Sequence, residues 1–124
     1  MTAALRKETL RFYVELTTNI LIEVAQGKRE TKLISYSELM DEMGGPGRGH
    51  IAEVLEEVSC REYEKNHPLL TALAVHKIDR QPGYGFWCIR VLPESVKNAS
   101  DIQKKAFWQQ ERDRVWGYWK THSS

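Results

Sequence analysis

The chain lacks most of the features that announce a specialised class. It has only two cysteines among 124 residues, Cys60 and Cys88. Two thiols without a Cys-x-x-Cys partner exclude both a disulfide framework and a zinc-ligand spacing. No apolar stretch approaches the roughly 20 residues that span a bilayer. The opening MTAALRKETLRF has no apolar signal core. A cytoplasmic protein with reduced thiols and no membrane association is therefore expected. Charge of one sign is lacking too, since 18 Lys and Arg against 17 Asp and Glu leave a formal net charge of +1. A phosphate-binding face must then be a local basic patch, because there is no global field to supply it. Internal repeats and low-complexity tracts are missing. What remains is 41% hydrophobic and 28% charged, a globular composition with enough apolar side chains for one core. The length points to a single domain over residues 1–124.

Apolar periodicity organises that domain. Leu5, Phe12, Leu16, Ile20 and Val24 recur at helical spacing. They predict an amphipathic helix over 4–26 that stops near Gly27. Leu33-Ile34 suits a short edge strand. Ser35 with Glu38 three positions on is a capping box, which opens a helix over 36–43 and is followed by Gly44-Gly45. The run GGPGRG is then a turn. It would also cradle a phosphate, but it lacks the Lys-Ser/Thr of a P-loop, so a plain turn is expected. Ile51, Val54, Leu55 and Val58 mark a third helix over 48–65, completing a helix-turn-helix. After His67-Pro68 the period changes. LLTALAVHK and FWCIRVL are apolar and β-branched, and the turn-rich IDRQPGYG separates them. They predict a β-hairpin with its tip at Asp79 to Gly85. Ser100 with Gln103 is a second capping box, opening an aromatic helix over 100–120. The expected fold is α+β and winged-helix-like. A helix-turn-helix plus β-hairpin wing fills 33–92, between long N-terminal and C-terminal helices.

The chemistry-bearing side chains form no complete catalytic set. His50, Glu53 and Glu57 share a helical face, which suits a metal, an acid–base pair or an ordinary solvated surface. The solvated surface is the expectation, with no metal and no cofactor. No nucleophile is paired with a base by spacing, so an enzyme is not expected. Basic residues gather at the start of the third helix, Arg48 and His50, and at the wing, His76, Lys77 and Arg80. Five glutamates on the third helix, Glu53, Glu56, Glu57, Glu62 and Glu64, weigh against phosphate contact along its length. The tail aromatics have three readings: stacking bases, anchoring a protein partner or second copy, or packing on the first helix to close the core. Trp108, Trp116 and Trp119 are the residues such a partner would take.

From Ile34 to Leu39 the run ISYSEL, followed by the glycine turn, Arg48 and the apolar Ile51, Val54 and Leu55, is similar to one known pattern. Pro68-Leu69-Leu70 and then Gly83-Tyr84-Gly85 continue it. Residues 33–92 resemble the DNA-binding domain of the O6-alkylguanine-DNA alkyltransferases and alkyltransferase-like proteins. The resemblance implies a winged-helix fold that binds DNA, with Tyr36 and Arg48 helping to extrude a base from the duplex. His50, Lys77 and Arg80 would be further nucleic-acid contacts. The family's reactive cysteine lies in a Pro-Cys-His-Arg segment on the strand after the recognition helix. Here Leu70 to Val75 stand in that place, without a thiol, and His76 lies beyond. Binding without alkyl transfer is the resulting expectation, with DNA structure or damage as its target. A protein-interaction module on the same scaffold is the alternative.

Overall fold

The structure is a computed structural model, and it describes residues 5–47 and 49–122. Its elements run α1 (Lys7–Ala25), β1 (Ile34–Ser35), α2 (Tyr36–Met43), α3 (Ile51–Glu64), a 3₁₀ turn (Leu70–Leu73), β2 (Ala74–Val75), α4 (Tyr84–Trp87), α5 (Glu94–Lys97) and α6 (Asp101–Thr121). The chain is mostly helical with one small sheet, an α+β mixture.

The helix ends follow the sequence signals. Ser35 Oγ accepts the Glu38 N–H at 3.1 Å while Glu38 Oε1 accepts the Ser35 N–H at 3.3 Å, so each end of the box supplies a partner for the other. Ser100 and Gln103 do the same at the start of α6. At the other end of α2, Gly44 takes φ 71° and donates to the Asp41 carbonyl, and Gly45 donates back to Met40. This Schellman arrangement needs a left-handed residue, which glycine supplies without a Cβ penalty.

The expected hairpin does not form. β1 and β2 pair in parallel, with Ile34 opposite Ala74 and Ser35 opposite Val75. Parallel neighbours need a long crossover, here α2, α3 and the 3₁₀ turn. The segment FWCIRVL is not a strand. Its buried residues are Phe86, Ile89 and Leu92, with Cys88 and Arg90 exposed. That spacing of three turns one face inward through α4 and the turns after it, where a strand would alternate. The segment expected to be a wing is therefore a loop with one helical turn, among the described residues.

Two apolar clusters hold these pieces. The larger joins Val14, Leu21 and Val24 of α1 to Leu39, Val54, Val58, Leu70, Leu73, Val115 and Trp119. The smaller contains Leu69, Ala72, Val75, Phe86, Ile89, Leu92 and Trp108. It fastens the segment 83–92 to α6 and the 3₁₀ turn. Trp108 Nε1–H donates to the Ala72 carbonyl at 2.7 Å, and the Glu111 carboxylate accepts the Leu69 N–H at 2.8 Å. Burial of the indole is thus matched by a partner for its one polar atom.

Among the described residues no helix is long and apolar enough to cross a membrane.

Candidate nucleic-acid interface

Three segments far apart in sequence meet around one pocket of about 330 Å³. The first turn of α2 gives Tyr36 and Ser37, and α3 gives Ile51, Ala52 and Leu55. His76 and the loop 83–86 close the third side, over a floor that includes Thr71 and Ile89. This volume lies in the range of small-molecule sites, whose walls are mostly apolar with a few placed polar groups.

The polar groups are Tyr36, Ser37, Thr71, His76 and Tyr84. The Gly83 N–H donates to the Tyr36 phenol oxygen at 2.7 Å. The Tyr36 and His76 rings meet edge to face at 5.1 Å between centroids. Burial is the main influence that pushes the Tyr36 phenol above its ordinary value, partly offset by the Gly83 N–H. The phenol is neutral at physiological pH and keeps its own O–H to donate. In the floor, the Thr71 hydroxyl meets the Ser59 hydroxyl at 2.6 Å, and Ser59 donates to the Leu55 carbonyl at 2.9 Å. Gly83 lies close under these rings: a Cβ there would lie 2.9 Å from His76 Nε2 and 3.3 Å from the Tyr36 ring.

The residues singled out from sequence fall in different places. Tyr36 lines the pocket. Lys77 is exposed and Arg80 half-buried, both in the turn that leaves His76. His50 is half-buried at the start of α3, its Nδ1 3.3 Å from Glu53, and does not line the pocket. Arg48 lies outside the described residues. His76, Tyr84 and Phe86 complete the wall, and of these only His76 had a chemical signal in the sequence.

One expectation changes, that for Trp108 and Trp119. The acidic face of α3 is partly engaged within the protein. Glu53 takes His50 and the Leu5 N–H, Glu56 takes the Arg90 amide and guanidinium, Glu57 lies beside Arg61 and Arg90, and buried Glu62 pairs with His67. Glu56, Glu57 and Glu62 thus meet Arg90, Arg61 and Lys65, whereas Glu53 faces a histidine and an N–H, and Glu64 is in no ion pair among the described residues, so negative charge remains on this helix. Trp108 and Trp119 are withdrawn as partner contacts, because they are 2% and 4% exposed in the two apolar clusters. Trp116 is half-buried. Its Nε1–H donates to the Lys32 carbonyl at 3.1 Å, and the Arg112 guanidinium sits between it and Trp108 at 5.0 and 4.8 Å. The tail closes the core, as the third reading had it.

No group of three or more His, Cys, Asp or Glu fit to hold a metal occurs among the described residues. No protein-family model matches the chain, and no curated protein or solved structure matches it. Fold and site together define an α+β helical domain with an aromatic-walled pocket beside a basic turn.

Proposed function

We propose that the chain is a non-catalytic, alkyltransferase-like nucleic-acid-binding protein that recognises distorted or damaged DNA by taking an extruded base. The observation that carries this reading is the pocket itself. It opens between the helix expected to read DNA and the loop in the wing position, and Tyr36 stands in its wall. An extruded base is held by stacking between aromatic and apolar side chains and by hydrogen bonds to its edge. Tyr36, His76 and Tyr84 supply rings, while the Tyr36 O–H and Ser37 supply polar contacts.

In the resemblance to the alkyltransferases, Leu70 to Val75 stand where the family has its Pro-Cys-His-Arg segment, and His76 lies beyond it. The segment has no thiol to accept an alkyl group. Recognition without transfer is what it supports.

The test is fluorescence anisotropy with labelled single-stranded, paired and mismatched DNA at low and moderate salt. Binding strongest for the mismatch, weakened by salt and by Arg48→Ala and Tyr36→Ala, is expected. A 2-aminopurine in the mismatch should brighten as it leaves the stack. Lack of DNA binding at low salt would overturn the reading.

A further inference from the structure

The turn that leaves the pocket wall ends in a side chain with no structural employment. Ile78 is 95% exposed, the most exposed of the large apolar residues among those described. The others on helices, Phe12, Tyr63 and Ile102, lie along helix faces, whereas Ile78 stands at the tip of a tight turn. That turn is locked. The His76 N–H donates to Gln81 at 2.9 Å, the Arg80 N–H donates to His76 at 3.0 Å, and Asp79 Oδ1 accepts the Gln81 N–H at 3.0 Å. Arg80 sits at φ 57°, a conformation unusual for a residue with a Cβ. The apolar tip is held out on a closed loop and does not fold back onto the core.

Its surroundings suit one kind of partner. Ile78 is two residues from His76 in the pocket wall, so at most roughly 7 Å of chain separates them. Tyr84, 84% exposed, stands at the start of α4 and lines the same pocket as His76. Lys77 and Arg80 flank the tip, and neither is in an ion pair among the described residues. Two acids are nearby, Asp79 next to Ile78 in the turn and Glu38 in its capping box, each with one oxygen accepting a backbone N–H and each keeping its charge. An exposed isoleucine on a turn that also carries Lys77 and Arg80, beside the pocket, has the form of the apolar wedge with which proteins part a base step while cations hold the adjacent phosphates.

We propose that Ile78 is a duplex wedge, inserted into the base stack beside the extruded nucleotide. This rests on the base-binding reading above and adds to it the requirement for a stacked duplex. The wedge offsets lost stacking by burying its own apolar surface in the step it opens.

Ile78→Ser tests it, with Ile78→Leu as the conservative partner and mismatched duplex and single strand as probes. The exposed position predicts an unchanged melting temperature for both variants. Ile78→Ser is expected to weaken mismatched-duplex binding roughly tenfold or more and to leave single-strand binding as it was, because a single strand has no duplex step to open. Ile78→Leu should bind both as the parent does. Equal duplex affinity for Ile78→Ser and parent would overturn the wedge while leaving the base-binding reading standing. Equal losses on duplex and single strand would overturn it as well, making Ile78 a general contact. A parent protein that binds no DNA at low salt would remove both.

Discussion

Gly83 and Tyr36, 47 positions apart, are joined by a 2.7 Å hydrogen bond from the glycine N–H to the phenol oxygen. This bond holds the loop 83–86 against the first turn of α2 and so gives the pocket its third wall. A Cβ at position 83 would crowd the end of the His76 ring at 2.9 Å and touch the Tyr36 ring at 3.3 Å.

Removing either partner should have distinct effects. Tyr36→Phe keeps the ring and leaves the buried Gly83 N–H without an acceptor. A loss of about 1–3 kcal/mol in chemical denaturation is expected. Gly83→Ala keeps the N–H but crowds the end of the His76 ring, which is exposed and free to swing. Its stability cost should stay below about 1 kcal/mol, while binding to a mismatched duplex falls because the wall moves. Equal stability losses in the two variants would contradict this division.

How much of this was legible in the sequence depends on the kind of signal. The ends of α2 and α6 were written in Ser35 with Glu38 and Ser100 with Gln103, because capping is local chemistry between residues three apart. The helical period of Leu16, Ile20 and Val24 likewise gave α1. The segment after Pro68 was illegible for a physical reason. From Leu69 to Val75 every residue is buried, so no period separates a 3₁₀ turn from a strand. In FWCIRVL the β-branched and aromatic content outweighed the spacing of Phe86, Ile89 and Leu92. The pocket was legible only through Tyr36 and His76, since its other walls come from segments that only tertiary packing brings together.

The capping box of α2 carries a pH dependence. The Glu38 carboxyl is held below its ordinary value of 4.5, chiefly by the Ser35 side chain, then by the Ser35 N–H, with Arg80 and Lys77 adding to it. A depressed folded-state value means that the unfolded chain binds the proton first as the pH falls. The contribution is therefore full above about pH 4.5 and is lost as the pH drops through the folded value. Glu38→Gln cannot titrate there, so its stability should fall less between about pH 5 and 3 than the parent's. Ser35→Ala should cost about 0.5–2 kcal/mol at neutral pH. Urea denaturation across that pH range measures both.

The Ser59–Thr71 pair beneath the pocket gives an asymmetric prediction. Ser59 donates to the Leu55 carbonyl, so the Thr71 hydroxyl is the donor in the 2.6 Å contact between them. Ser59→Ala strands that buried hydroxyl without its acceptor and should cost about 1–3 kcal/mol. Thr71→Val removes the donor and fills the same volume with a methyl, leaving Ser59 its bond to Leu55, so the cost should be about 1 kcal/mol or less. Denaturant midpoints at constant slope would separate them, and the reverse order would assign the proton to the other oxygen.

The tail gives the sharpest separation between core and surface. Trp108 is 2% exposed and its indole N–H is spent on the Ala72 carbonyl, within the cluster that carries Phe86 and Ile89 of the pocket loop. Trp108→Phe keeps most of the apolar volume but leaves that carbonyl unpaired and a gap behind it, so a loss of about 2–3 kcal/mol is expected. The loss should extend to DNA binding, because the loop 83–92 rests on this cluster. Trp116 stacks on Arg112 at the surface and donates to Lys32. Trp116→Ala should cost about 1 kcal/mol in lost cation–π and hydrogen-bond contact and leave binding unchanged. Sedimentation of the Trp116→Ala variant decides its remaining alternative role: a parent dimer that this substitution dissolves would make Trp116 an interface residue, and an unaltered sedimentation coefficient makes it a brace between α6 and the chain at Lys32.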